Sequence, residues 1–307
     1  MLSLVHAGVR GRIDDLQREF AEARPFRHVV IEQFLDPSFC QELIAEFPPF
    51  AAGDARNERG EQAGKSVINQ ITGLGPAFRK FDRLMRDRDF LTVIGRITSI
   101  PGLLYDEEYI GGGTHNNRGG QELDSHVDFN FHPRLGWHRR LNLIVFLNPR
   151  WEEAWGGWLE LLPEPSADSS DVRKVVPLAN HAVIFETTES SWHGFPVIRT
   201  PDDSISRKSL AVYFYSKDRP AAEIAPSHAT YYYQRPLPGH IQAGYTLRED
   251  DVAEIRKLFA RRDQQIHYLY ERDTEFTDLL AGINRWRAFR LARAITWPAR
   301  FIKRIVA

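Results

Sequence analysis

Cysteine is almost absent from this chain of 307 residues: the one copy is Cys40, within PSFCQELIAEF. An intrachain disulfide is therefore impossible and no cysteine cage can hold a metal, which points to a reducing compartment. Long apolar runs are missing as well. No stretch reaches the roughly 18 apolar residues of a membrane span, and MLSLVHAGVRGRIDDLQREF breaks into charge too early for a secretory signal. The expected location is cytoplasmic. Charge of one sign is also lacking, with 40 Lys and Arg against 41 Asp and Glu. That balance gives the chain as a whole no electrostatic reason to bind nucleic acid. No internal repeat and no low-complexity tract is present.

What is present suits a folded protein: 42% hydrophobic and 12% aromatic residues can bury a core. Ile13, Leu16 and Phe20 have helical spacing, and Asp36-Pro37 supplies an N-cap and a first-turn proline for a helix to about Glu46. Between them FRHVVIEQFL carries a β-branched run at 29–31. Residues 51–66 are small, polar and charged, and read as an exposed loop. Helical patterns resume over 78–97. After Pro101-Gly102 the texture changes to short apolar runs divided by Gly, Pro and Asn: YIGGG, LNLIVFL, WLELLP, HAVIFET, HGFPVI and SLAVYFYS. Strand signals at close intervals, without helices between, indicate an antiparallel sandwich or barrel. LNLIVFL is apolar at both parities and should be a central strand covered on both faces. Beyond 220 the pattern turns helical, most clearly over 247–273. The boundaries expected are 1–100 for an N-terminal helical region, 101–220 for the β core and 221–307 for a C-terminal helical region with a basic tail.

In LDSHVDFNFHP, residues i and i+2 of an extended segment project to one side, so His126 and Asp128 can present an imidazole nitrogen and a carboxylate to one ion. The competing reading is a chance triplet on a surface loop. His193, in TTESSWHGFPVI, supplies a third ligand at the start of a strand. Two histidines and one carboxylate leave one face of an ion open, the arrangement of non-haem Fe(II) oxygenases. A bidentate 2-oxo acid would fill two open positions and oxygen a third. The remote carboxylate of that co-substrate needs a cation, and Arg207, opening RKSLAVYFYS, offers a planar fork. Lys208 points to the opposite face of the same strand.

The order HVD, LNLIVFLNPRWEEAWGGWLEL, WHGFP and RKSLAVYFYS resembles the iron- and 2-oxoglutarate-dependent oxygenases of the prolyl 4-hydroxylase type, and within them the bacterial branch similar to ribosomal-protein prolyl hydroxylases. The resemblance spans roughly residues 26–216. It implies an α+β protein with a double-stranded β-helix core of jelly-roll or cupin-like form, flanked by N- and C-terminal helices. It further implies iron on His126, Asp128 and His193, 2-oxoglutarate on Arg207, and a second co-substrate contact from Asn142 or Tyr109. The activity implied is hydroxylation of an aliphatic C–H bond with decarboxylation of 2-oxoglutarate to succinate, O2 as oxidant and ascorbate as reductant. The substrate expected first is a small-molecule or glycan biosynthetic intermediate, with a protein prolyl residue as alternative. A cupin-like metal protein without oxygenase activity is the reading from another class.

Other residues have plainer explanations beside the functional one. His132, Arg118, Asn130 and Trp192 are candidates for the pocket mouth, whereas His138 and His181 read as strand-edge residues. His115, in GGGTHNNRGG, is expected on a glycine-rich loop. Trp151, Trp155 and Trp158 could wall a substrate but more often such residues are core. The final 24 residues hold seven Arg or Lys and no acid, a composition that suits either peripheral contact with an anionic membrane or packing on the barrel or a second subunit of a homo-oligomer.

Overall fold

Helices predominate over the described part of the first hundred residues, yet the strands at 28–31 and 65–68 from that stretch join the main sheet. The computed structural model describes residues 1–50, 65–166 and 170–285. The expectations resting on most of the 51–66 loop and on the basic tail, including its membrane contact, lie outside the described residues. Two units divide the chain, Met1–Tyr233 and Gln234–Ala307.

In the first unit, α1 (Ala7–Gly11) and α2 (Ile13–Glu22) precede β1 (His28–Ile31) and α3 (Pro37–Ala45). Leu16 and Phe20, one turn apart, bury the inner stripe of α2. Asp36 caps α3 by accepting from the backbone N–H groups of Ser38 and Phe39. After β2 (Lys65–Ile68), the 78–97 pattern resolves into two helices, α4 (Pro76–Met85) and α5 (Arg88–Thr98). The break falls where Asp87 leaves the helical conformation and its carboxylate caps Phe90.

The strands that follow are β3 (Leu104–Tyr105), β4 (Gly113–Asn117), β5 (Leu123–Val127), β6 (His138–Phe146), β7 (Leu159–Leu162), β8 (Arg173–Val175), β9 (Ala182–Glu186), β10 (Trp192–Phe195), β11 (Arg207–Ser216) and β12 (Tyr231–Tyr232). A seven-stranded sheet runs β1-β9-β6-β11-β4-β2, with β3 on β11, and a five-stranded sheet runs β12-β5-β10-β7-β8. The chain passes repeatedly from one antiparallel sheet to the other, which makes a double-stranded β-helix.

Strand parity sets the two faces of the larger sheet. Leu141, Leu143 and Val145 of β6, with Leu210, Val212 and Phe214 of β11, pack outward on the helices. Phe146, Val183 and Phe185 point inward to meet Leu159, Leu161 and Val175 of the smaller sheet. The expected central strand is thus covered on both faces and lies between β9 and β11.

Two expectations from the sequence need correction. YIGGG does not begin a strand: the Asp106 carboxylate accepts from the backbone of Glu108 and Ile110, folding a turn, and β4 starts only at Gly113. His115 consequently lies on a strand and not on a loop. Nor does the chain become helical directly after 220. Tyr231 and Tyr232 pair with Val127 and His126, extending the smaller sheet beyond β5, and the next α-helix is α6 (Glu249–Arg285) in the second unit.

Candidate metal centre and co-substrate pocket

β10 lies antiparallel to β5 with His193 in register with His126. Close approach at this point needs a glycine, because a Cβ on Gly194 would sit 2.5 Å from the carbonyl oxygen of Leu123. Asp128 follows β5 by one residue. Ligand atoms of His126, Asp128 and His193 all lie within 4.8 Å of one another, and all three residues are buried.

Hydrogen bonding fixes which atoms face the centre. The Nδ1 atoms of His126 and His193 each lie 2.9 Å from a backbone carbonyl, of Asp124 and Ser191 respectively. Each Nδ1 is therefore the N–H donor, and each Nε2 keeps a lone pair, the tautomer a metal requires. The Nε2 atoms stand 3.8 Å and 3.4 Å from the Asp128 carboxylate. Two donors bound to one ion at about 2.1 Å lie no more than about 4 Å apart, which the 3.8 Å between Nε2 of His126 and Oδ1 of Asp128 satisfies; the 3.4 Å from Nε2 of His193 is to Oδ2.

Asp128 is held from behind. Its Oδ2 accepts from Nη2 of Arg139 at 2.9 Å and from Nδ2 of Asn142 at 2.8 Å. Arg139 in turn donates through Nε and Nη2 to Oδ1 of Asn142. Its guanidinium is 1% exposed and lies 3.5 Å from the ring centre of Tyr213 and 4.4 Å from that of Phe129. Burial pushes the Asp128 carboxyl upward, but Arg139, the two histidines and the Asn142 hydrogen bond together hold it well below the usual carboxylate range. His193 is moved down, chiefly by burial, and is neutral at pH 7. Among the described residues none donates a hydrogen bond to the Oδ1 oxygen of Asp128, so that atom could serve an ion.

Arg207 is the first residue of β11. Its guanidinium lies 4.4 Å from the ring of Phe195 and 5.1 Å from that of Phe146, while the His193 ring lies 4.8 Å from Phe185. Phe146 and Phe185 belong to one inter-sheet cluster, so arginine and triad border the same interior. Nε donates to the carbonyl of Gly157 at 2.6 Å. The WGGW segment makes this possible, since Gly157 has φ 64° and a Cβ there would approach Ile198 to 2.9 Å. Arg207 is 4% exposed and has no carboxylate within ion-pair distance among the described residues. Burial alone lowers it to about 9.

The expected site residues thus divide. His126, Asp128, His193 and Asn142 are brought together and Arg207 faces the same interior, with Asn142 placed behind Asp128, its amide spent on that carboxylate and on Arg139. Tyr109 is not brought to the centre. Beyond the Asp106 turn it packs edge-on against Tyr105, which pairs with outward-facing Phe214, so it belongs to the helix-side core. Trp151 and Trp155 are core, packed on Phe195 and Ile198. Asn130 ties the segment after β11 down, through Pro226 and His228, and Trp192 meets Tyr231 edge-on.

Arg139 escaped the sequence reading. Phe214 pairs with Leu141 but Tyr215 pairs with Arg139, so Arg140 is an extra residue that resets the alternation along β6. Counting by twos from Asn142 would have selected Arg140 instead.

A second cluster, Asp106, Glu108 and His132, has metal-like spacing. Its chemistry does not fit. Nδ1 of His132 accepts from the backbone of Arg134 and Leu135 at 3.2 Å, which puts the proton on Nε2, facing Asp106 at 3.4 Å. A protonated nitrogen offers no lone pair, and it lies near the Asp106 carboxylate without a hydrogen bond to it.

Residues 112–215 match the model of the 2OG-Fe(II) oxygenase superfamily. They form a 2OG-Fe(II) oxygenase domain. The cofactors of this class are iron(II) and 2-oxoglutarate, and the lone-pair-bearing triad and the uncompensated Arg207 are donor sets of the right chemistry for each. No curated protein matches the chain. Among solved structures, the chain is similar to a prolyl hydroxylase from Trichoplax adhaerens in complex with a hypoxia inducible factor peptide fragment, at 15% identity and TM-score 0.48, covering 70% of this chain and 96% of that one. A Pseudomonas putida prolyl-4-hydroxylase matches at 14% identity and TM-score 0.40, covering 68% and 94%. HygX from Streptomyces hygroscopicus, with nickel and 2-oxoglutarate bound, matches at 11% identity and TM-score 0.42, covering 66% and 91%. No helix among the described residues is long and apolar enough to cross a membrane.

Proposed function

We propose that the oxygenase domain holds iron(II) on Nε2 of His126, Nε2 of His193 and the carboxylate of Asp128, and 2-oxoglutarate through Arg207, and that it hydroxylates an aliphatic C–H bond. The observation that carries this reading is Arg207: a guanidinium buried without a counter-charge is costly unless a ligand brings an anion. The far carboxylate of 2-oxoglutarate meets that need, and a bidentate charge-assisted pair forms there in a site with little water.

When bound, iron with 2-oxoglutarate and O2 supplies the oxidising power: one oxygen atom enters the substrate C–H bond, and the other leaves in succinate as CO2 is released. The chain supplies orientation. Asn142 and Arg139 donate to one oxygen of Asp128 and so orient the carboxylate, whose other oxygen would hold the ion. The backbone carbonyls of Asp124 and Ser191 hold both imidazoles in the ligating tautomer.

For the substrate, the small-molecule or glycan reading comes first. β12 occupies the edge of β5 beside the triad, so an extended peptide cannot add there as a strand. Tyr232, 5.1 Å from the His126 ring, gives an aromatic face for a cyclic substrate. A prolyl ring presented on a peptide turn would use the same face and is the second reading.

The test is succinate formation from 2-oxoglutarate with Fe(II), ascorbate and O2, together with calorimetric 2-oxoglutarate binding to the Mn(II) form. Wild type should bind and turn over the co-substrate, Arg207→Ala should keep Mn(II) but lose 2-oxoglutarate, and His126→Ala should lose Mn(II). A wild-type protein that takes up metal but not 2-oxoglutarate would refute the assignment. Candidate sugars and prolyl peptides, compared for stimulation of succinate release, separate the two substrate readings.

A further inference from the structure

The second unit carries a 37-residue helix, α6, far longer than the three turns usual in a globular domain. From Val252 to Ile283, residues recur at alternating spacings of three and four, and all but Arg262 and Asp273 are apolar. This is a heptad seam sustained for more than four repeats. Most of it faces outward: Phe259, Ile266, Leu269, Phe276 and Leu280 are 44 to 59% exposed, while Val252, Ile255 and Ile283 near its ends are half-buried. An apolar stripe of this length on a soluble surface marks an interface.

The two polar interruptions identify the occupant. Arg262 and Asp273 lie equally far from the midpoint of the seam, between His267 and Tyr268. A second copy running antiparallel about that midpoint would place Phe259 against Phe276, Ile266 against Leu269, Ile255 against Leu280 and Val252 against Ile283. The same register sets Arg262 of each copy against Asp273 of the other. Full overlap of the seam and pairing of opposite charges therefore coincide in a single alignment. A parallel in-register pair would instead stack Arg262 on Arg262 and Asp273 on Asp273, two like-charged layers in the seam. Both charged residues are exposed; Arg262 donates only to the carbonyl of Arg235 at 3.3 Å, and Asp273 has no ion-pair partner among the described residues. Opposed helix macrodipoles favour the antiparallel arrangement further.

From this we infer that two copies of the chain associate through α6 as an antiparallel two-stranded coiled coil, locked in register by reciprocal Arg262–Asp273 pairs. The test is sedimentation equilibrium of the full chain over a concentration series, with circular dichroism to verify that each variant keeps its helix. Wild type should be a dimer, and Leu269→Glu, in the central layer, should be monomeric. Arg262→Asp and Asp273→Arg should each weaken association on the order of 100-fold by creating two like-charged layers. The double variant, Arg262→Asp with Asp273→Arg, should recover dimerisation, because the antiparallel register restores both pairs. Three outcomes overturn the inference: a monomeric wild type, a dimer insensitive to either single charge reversal, or single reversals that the double variant does not rescue. The charged positions are exposed in the monomer, so loss of association with unchanged helicity cannot be ascribed to misfolding.

Discussion

Two arginines reach the interior of the oxygenase domain, and they are treated in opposite ways. Arg139 has its charge balanced from within: Asp128 and Asn142 share its Nε and Nη2 donors, and two aromatic rings cover its faces. Arg207 has one backbone carbonyl and two aromatic neighbours, and no negative charge within ion-pair distance among the described residues. A buried cation with an internal partner needs nothing from outside, whereas one left without is costly unless a ligand brings an anion. Burial alone does not separate the two roles, since both residues are almost fully enclosed. The location of the counter-charge does.

The sharpest way to break this contrast is to replace each arginine by methionine in the metal-free protein. Arg139→Met leaves the Asp128 carboxylate buried without its cation and should cost about 3–5 kcal/mol in urea denaturation. Arg207→Met removes an uncompensated charge and should be neutral or stabilising, by up to about 4 kcal/mol, in the same measurement. Equal losses from both would show that the two sites do not differ.

Ligand affinity reverses the ranking. Arg207→Ala should weaken 2-oxoglutarate binding to the Mn(II) form by on the order of 100-fold, the worth of a charge-assisted bidentate contact of about 2.7 kcal/mol. Calorimetry reads this directly, with Arg207→Lys expected to recover only part of the loss because an ammonium cannot form the planar fork.

A smaller effect is expected behind the triad. Asn142→Ala should lower metal affinity by about 10–100-fold while leaving one cation on Asp128. Competition against a metal-binding dye reports it. An unchanged affinity would mean that Arg139 alone orients the carboxylate.

The mildest effect is on pH dependence. Burial holds Arg207 down to about 9, and the co-substrate needs the charged guanidinium. Its affinity should be level around neutrality and fall as pH rises through about 9. The sign for the ligand-free fold is opposite: the charged form is disfavoured by burial, so that penalty is present below about 9 and relieved above it. An affinity that rises with pH in this range would contradict the assignment.

Several parts of this protein were legible as sequence. His126-x-Asp128 works because alternate residues of an extended chain share a face, and LNLIVFL declares a doubly covered strand through its composition. Arg207 was legible because it opens a long apolar strand. The heptad seam of α6 likewise needs only spacing. These features depend on local backbone periodicity, which the order of side chains states directly.

Other features were decided only when the sheets closed. Arg139 reaches Asp128 because one extra residue at Arg140 shifts the alternation, and a bulge of that kind is defined by two strands about 70 positions apart, not by either alone. Tyr109 went to the helix side because Asp106 binds the backbone that follows it and folds YIGGG into a turn. β12, two residues long, has too few positions to show any period and exists only because β5 offers it an edge. The sequence thus determined which chemical groups the chain owns and the faces they take along each strand; pairing between distant strands decided which of them meet, because register and closure are properties of two segments at once.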